Sequence, residues 1–424
     1  TVVNLGHAFL RVLGLSPRGV LRGHFPPDIA LAALYLAVLG IAAFHCGAMA
    51  AVVQKGYGRG DREAPSERSL ARMLLWTRLV GWALLALAAV PALLTARRAV
   101  MVVLASGYLG LFLQPAQTSF AAAPQVLASF LSVGALFLLA GSGGRVSALV
   151  VSALVVLGNA GLQLYLGSRA AAAMPVVAYA WLWHRSVRRL PTLILLGGAL
   201  VLVGVVFPAV VMVRFLAGPG RMAPADVAAR YLSIQNPVAV AVAEMGLSLR
   251  TVAYTLQMVP AQRGFEWGMS YLYALTTICP NLFWPIHPAV ARGLAADWLI
   301  KTVAPALAAQ GQGFGYSFIA EAYLNGGWVG APAILALMGY LYARFVLWAL
   351  NSRCPARMAT LAAFLSFFLL FARGESASFV RPLVWYALLP YAVVRLGAWL
   401  WSRREGDRSR QVAGVASDGE QRRP

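Results

Sequence analysis

The chain has 424 residues, of which 60% are hydrophobic and only 12% charged, with a mean hydropathy of +0.72. Soluble domains carry roughly a quarter charged residues, so this balance excludes a soluble enzyme and predicts an all-α, polytopic membrane protein of about ten helices. The net charge of +21 comes from arginine, Lys55 and Lys301 apart, scattered through short connections rather than massed on one face. It therefore points to topology and to anionic headgroups or pyrophosphates, and away from nucleic acid.

Residues 1–27 read as a short cytoplasmic segment. Its apolar residues are interrupted by His7 and Arg11, and no small-residue cleavage site follows, so no cleavable signal is expected. Apolar runs then occupy residues 28–53, 73–96, 99–114, 119–140, 146–166, 170–183 and 191–215, which together make an N-terminal bundle over residues 28–216. A bilayer of roughly 30 Å needs about 20 residues, so the short runs at 99–114 and 170–183 are expected to tilt or re-enter. Residues 217–327 form one large, moderately polar loop. Within it, residues 224–256 are helix-compatible and 267–284 are apolar and aromatic, which predicts helices lying on or dipping into the outer leaflet. Runs at 328–350, 358–372 and 382–401 complete the C-terminal helices, residues 328–402, with a short external loop at 373–381. The tail 403–424 alternates charges with Gly and Ser and is expected to be disordered.

Counted as ten runs, the chain places Arg97 and Arg98, the basic cluster 184–189, residues 351–357 and Arg403 with Arg404 on one side. By the positive-inside rule that side is cytoplasmic and the large loop is outside. One segment disobeys: residues 54–72, with Lys55, Arg59, Arg62, Arg68 and Arg72, fall outside. Cys46, Cys279 and Cys354 lie in three separate segments, so neither a disulfide framework nor a metal site follows.

The most informative stretch is residues 311–328, Gly-Gln-Gly-Phe-Gly-Tyr-Ser-Phe-Ile-Ala-Glu-Ala-Tyr-Leu-Asn-Gly-Gly-Trp, where the loop meets the membrane. Its glycines allow close backbone approach, and Tyr316, Tyr323 and Trp328 are rings suited to a bilayer surface. Glu321 stands among them at the edge of the hydrocarbon, where a carboxylate is costly unless paired or functional. Two further motifs are Cys279-Pro280-Asn281-Leu282-Phe283-Trp284-Pro285-Ile286-His287-Pro288 and Arg373-Gly374-Glu375-Ser376-Ala377-Ser378-Phe379-Val380-Arg381. Together the three resemble bacterial O-antigen and oligosaccharide repeat-unit polymerases of the Wzy type, over roughly the C-terminal half of the chain. That family usually has Arg and Lys where this chain has Asn281 and His287, so no cation role is assigned there.

The resemblance implies a metal-independent membrane glycosyltransferase without cofactor. It would take undecaprenyl-pyrophosphate-linked oligosaccharide as substrate at the periplasmic face of the inner membrane, grow the chain at its reducing end, and have membrane lipid and a chain-length regulator protein as partners. Arginine suits such a substrate because it binds phosphate bidentately and keeps its proton. Arg373 and Arg381, in a loop too short to have a fold of its own, are the first candidates for pyrophosphate, followed by Arg263, Arg292 and Arg250, with Tyr323 as a further substrate contact. The alternative for these arginines is structural pairing, Arg263 with Glu266 or Arg292 with Asp297. Transfer with inversion needs a base. Glu321 is the first candidate, or else a structural carboxylate paired with Arg373 or Arg381; His287 is the second. The glycines of 311–315 follow no strand and lack a nucleotide-binding Lys, and no Asp-rich pair suits a nucleotide sugar with Mg2+. Two rival functions remain: an O-antigen ligase that passes glycan to a lipid A core, and a transporter or flippase for the lipid-linked sugar.

Overall fold

The computed structural model describes residues 24–56, 66–113, 123–213, 222–234, 236–279, 284 and 287–420, with isolated positions 5, 8, 10, 12 and 21 before them. Every regular element among these residues is helical. Eight helical segments are long and apolar enough to cross a membrane, fewer than the ten runs of the sequence. Two runs account for the difference: 170–183 is not among the eight spans, and α2 (Glu67–Ser106), one helix of 40 residues, joins the run 73–96 to the first part of 99–114. Arg97 and Arg98, expected in a cytoplasmic connection, lie inside it. Alanine and arginine are strong helix formers, and no Gly or Pro falls between Pro91 and Gly107 to break the ladder. Ser66 caps the start, its side chain accepting from the Ser69 N–H at 3.3 Å, and Gly107 ends the helix at φ 72°.

The helix α1 (Pro27–Lys55) is followed, after α2, by α3 (Phe130–Ala140), α4 (Val146–Tyr165), α5 (Arg169–Ser186) and α6 (Thr192–Val201). The helix α5 forms, but its charged ends leave it outside the eight apolar spans. The large loop contributes α7 (Ser248–Met258), α8 (Met269–Thr276) and α9 (Ala295–Val303). Then come α10 (Phe318–Leu350), α11 (Pro355–Ser366), α12 (Ser376–Pro382) and α13 (Leu389–Glu420), the last running on as helix through the polar residues after Arg403.

The pair α1 and α10 is the spine of the molecule. A Cβ on Gly47 would fall 1.8 Å from the Ala336 carbonyl oxygen, and one on Gly339 would fall 1.9 Å from that of Phe44, so glycine alone permits this approach. The two helices run parallel. Midway along α1, Gly40 abuts Ile319 and Leu335; toward its end the Tyr340 hydroxyl bonds Gln54 at 2.7 Å, and the Asn351 amide donates to the Gly56 carbonyl at 3.0 Å.

The start of α1 therefore lies with the large loop, and the rings of Phe25 and Tyr254 meet edge to face at 4.5 Å. The sequence reading had put residues 1–27 and the loop on opposite sides. The two placements differ by one crossing: α2 is one continuous helix where the sequence has two runs, and counting it once reverses the parity of everything before it. Both ends of the disobedient segment lie with the end of α10 and the polar part of α13: Gly56 sits beside Asn351, and Arg72 pairs with Glu405 at 3.3 Å. The connection between them, residues 57–65, is outside the described residues.

The loop packs onto this end of the spine rather than forming a separate lobe. Leu249, Val252, Ala253 and Met258 of α7 share one core with Ala33 and Leu36 of α1 and with Ile319, Ala320 and Leu324 of α10. Within α10 the backbone breaks at Gly327, with φ 58° and ψ −155°, a left-handed value that glycine tolerates. The break frees the Leu324 carbonyl from the helix ladder, and the Glu266 N–H takes it at 2.9 Å.

Candidate active site

At the loop end of the bundle lies a cleft lined by Arg263, Glu266, Ser270, Tyr273, Arg292 and Glu375, among others. Its free volume is about 20 Å3, room for about one water.

Two guanidiniums converge there. Arg263, in the turn after α7, donates from Nε to Glu266 Oε1 at 3.0 Å and from Nη2 to the same oxygen, and lies over the Trp298 ring at 4.8 Å. Arg292, ending a short helix at Pro288–Arg292, places Nη2 2.9 Å from Glu266 Oε2 and lies over the Tyr273 ring at 4.6 Å. The expected pairing of Arg263 with Glu266 is thus present, whereas Arg292 pairs with Glu266 in place of Asp297. One carboxylate, 7% exposed, joins both arginines and leaves the trio with a net positive charge.

Glu375 reaches the cleft from the short loop between α11 and α12. Its carboxylate accepts the Ala295 N–H at 2.8 Å and the Ala296 N–H at 3.1 Å, which caps the start of α9 from 80 residues away. Free N–H groups at a helix start favour an anion. Burial nevertheless pushes this carboxyl above the ordinary carboxylate range, against the pull of the two donors.

Glu321 stands behind the cleft. It is 1% exposed and accepts from the Ser270 hydroxyl at 2.8 Å, the Ser376 N–H at 2.7 Å and the Ser376 hydroxyl at 2.6 Å. One turn on, the Asn325 amide donates to the Ser270 hydroxyl at 2.7 Å and its carbonyl oxygen accepts the Gly268 N–H at 2.8 Å. Hydroxyls and a backbone N–H satisfy the carboxylate, rather than the arginines named from the sequence.

The remaining candidates lie outside the cleft lining. Arg381 donates from Nε to the Thr277 carbonyl at 2.6 Å, tying α12 to the end of α8. The main-chain carbonyl of Arg373 accepts the Tyr316 N–H at 3.2 Å. Arg250 lies over the Phe314 ring at 5.4 Å. His287 caps its helix, Nδ1 accepting from Ala289 N–H at 3.2 Å while Nε2 sits 3.2 Å from the Thr276 carbonyl. Tyr323 packs edge to face on Phe265 and on Trp328, both at 5.8 Å. Of the proline motif, residues 280–283, 285 and 286 are outside the described residues.

From the sequence Glu266 stands only as a structural partner for Arg263 and Glu375 only within the last external motif, and nothing there marks Ser270 or Tyr273. Glu266 had a local signal, three residues after Arg263. The serines had none. Among the described residues no three His, Cys, Asp or Glu side chains converge as metal ligands.

A family model described as O-antigen polysaccharide polymerase Wzy matches residues 17–405. No curated protein and no solved structure matches the chain.

Proposed function

The chain belongs to the O-antigen polysaccharide polymerase Wzy family, and on that premise we propose that it joins undecaprenyl-pyrophosphate-linked repeat units on the periplasmic face of the inner membrane. The growing glycan on its lipid carrier is the donor, and a single lipid-linked unit is the acceptor. The acceptor hydroxyl oxygen bonds to the anomeric carbon of the donor. The bond from that carbon to the pyrophosphate oxygen breaks, its electron pair leaves with the pyrophosphate, and the hydroxyl proton passes to a carboxylate.

The observation that carries this reading is the convergence of Arg263 and Arg292 on one cleft that Glu375 also lines. Two fixed guanidiniums stabilise the negative charge that develops on a departing pyrophosphate, the role a metal ion fills elsewhere. Glu375 is the carboxylate that both reaches the cleft and is held above its ordinary pKa, which suits a base working near neutral pH. Glu321 then acts on the reaction through Ser376, as a positioning residue.

Sidedness follows from the arginines. Adding α5 to the eight apolar spans makes the number of crossings odd, with the start of α1 and the polar end of α13 at opposite ends of the bundle. Arg68, Arg72, Arg145, Arg185, Arg188, Arg353, Arg357, Arg403 and Arg404 then gather at the end away from the cleft. By the positive-inside rule that end is cytoplasmic and the cleft is periplasmic.

The test places the purified protein in lipid with a native polyprenyl-pyrophosphate-linked repeat unit, excess EDTA and no nucleotide sugar, and resolves products by size. A ladder of multiples is expected. Consumption of the unit only when a lipid A core is supplied would make the protein a ligase instead.

A further inference from the structure

We infer that Arg263 and Arg292 form a phosphate site which the chain's own Glu266 occupies between turnovers, so that an incoming pyrophosphate displaces this carboxylate. The identity of the anion rests on the polymerase reading above; the geometry stands without it.

Carboxylate and phosphate present the same face of paired acceptor oxygens to a guanidinium. Arg263 donates twice to one oxygen of Glu266, and Arg292 Nη2 lies 2.9 Å from the other as an ion pair that makes no hydrogen bond, so this second oxygen is buried without a donor. Each arginine is also held by something other than Glu266, its plane resting on the ring of Trp298 or Tyr273. The two cations therefore keep their places when the carboxylate leaves. The backbone of Glu266 is fixed, its N–H on the Leu324 carbonyl and its carbonyl accepting the Met269 N–H at 2.9 Å. Release needs only rotation of its side chain.

Space and charge argue the same way. With Glu266 in place the enclosed part of the cleft has room for about one water, so an anion held between the two guanidiniums takes the place of the carboxylate. Removing the carboxylate leaves two positive charges facing each other across a half-buried cleft, which is costly unless an anion replaces it. Glu266 thereby serves two purposes: it lowers the charge of the empty site, offsetting one of the two guanidiniums, and it competes with the pyrophosphate left on the lipid carrier after transfer, which speeds that product's departure.

The experiment titrates inorganic pyrophosphate into the full chain in lipid nanodiscs by calorimetry, for the wild type, Glu266→Gln and Glu266→Asp. Glu266→Gln is expected to bind at least tenfold more tightly than the wild type, and Glu266→Asp, which keeps the charge but shortens its reach, by a smaller factor. Arg263→Ala is expected to abolish binding. Unchanged or weaker binding in the folded glutamine variant would mean that Glu266 holds the arginines rather than competing for them, and would overturn the inference. Should Glu266→Gln fail to fold, the aspartate variant decides in the same sense. The ladder assay on the wild type separates the two claims. A ladder with no gain in pyrophosphate affinity overturns only the competition by Glu266, whereas a gain in affinity with no ladder from native substrate overturns the polymerase and leaves the anion site standing.

Discussion

Ser376 grips Glu321 twice, through its backbone N–H at 2.7 Å and its hydroxyl at 2.6 Å, across 55 residues of sequence. This contact fastens the loop between the last two membrane helices to the first turn of α10. Because Glu375 is the residue before Ser376, the same grip aims the neighbouring carboxylate at α9 and the cleft.

Glu321→Gln puts an amide where three donors now converge, so one N–H group faces another hydrogen-bond donor in a buried site. A buried polar mismatch costs about 1–3 kcal/mol. The variant is expected to unfold at lower temperature and to polymerise poorly, with pyrophosphate affinity preserved because Arg263 and Arg292 are untouched. Normal thermal stability in a calorimetric scan would show that the serine knot contributes little.

Glu375→Gln tests the proposed base. Loss of general base catalysis typically costs 10²–10⁴-fold in rate, so turnover at saturating substrate is expected to fall by about that factor while binding of the lipid-linked unit persists. In the wild type the rate is expected to rise with pH through a value above that of an ordinary carboxylate, since burial favours the protonated form. Stability runs the opposite way. A carboxyl whose folded-state pKa is raised contributes most below its unfolded pKa and loses that contribution as pH rises through the folded one. A flat rate profile for the wild type together with an active glutamine variant would remove Glu375 from the chemistry.

Arginines inside and outside the cleft are expected to separate. Arg263→Lys keeps the charge but loses the paired donors, and polymer yield is expected to fall by about tenfold or more. Arg381→Ala removes a bond to the Thr277 carbonyl at 2.6 Å. Its effect is expected on stability, at about 1.5–3 kcal/mol for a charged donor, with residual activity in whatever protein folds. Pyrophosphate titration of both variants checks the distinction: equal loss of affinity in the two would place Arg381 with Arg263.

How far the sequence reveals such a site depends on the range of the contacts. Composition is enough for a polytopic helical protein, and Arg263 with Glu266 is legible because they stand three residues apart. The cap that Glu375 places on α9 spans 80 residues, and the bond from Ser270 to Glu321 spans 51; no local pattern marks either. The membrane topology differs between the two readings for another reason. In the sequence Arg97 and Arg98 read as a connection, although charge alone does not end a helix in the absence of Gly or Pro. At about 1.5 Å per residue α2 is about 60 Å long, twice the roughly 30 Å of hydrocarbon, so a single crossing leaves room for the two arginines beyond the membrane.

That single crossing has a direct test. If α2 crosses once, Asp28 lies with the large loop and Ser66 lies with Asn351 at the other end; if it crosses twice, Ser66 moves to the loop side. In a background with Cys46, Cys279 and Cys354 replaced by Ala, Asp28→Cys is expected to react with a membrane-impermeant maleimide in intact spheroplasts, and Ser66→Cys only after permeabilisation. Both positions are exposed, so reactivity reports the side and not burial. Labelling of Ser66→Cys in intact spheroplasts would restore the extra crossing. It would also return residues 54–72 to the outside with their five cations against three acids, the arrangement that the positive-inside rule disfavours.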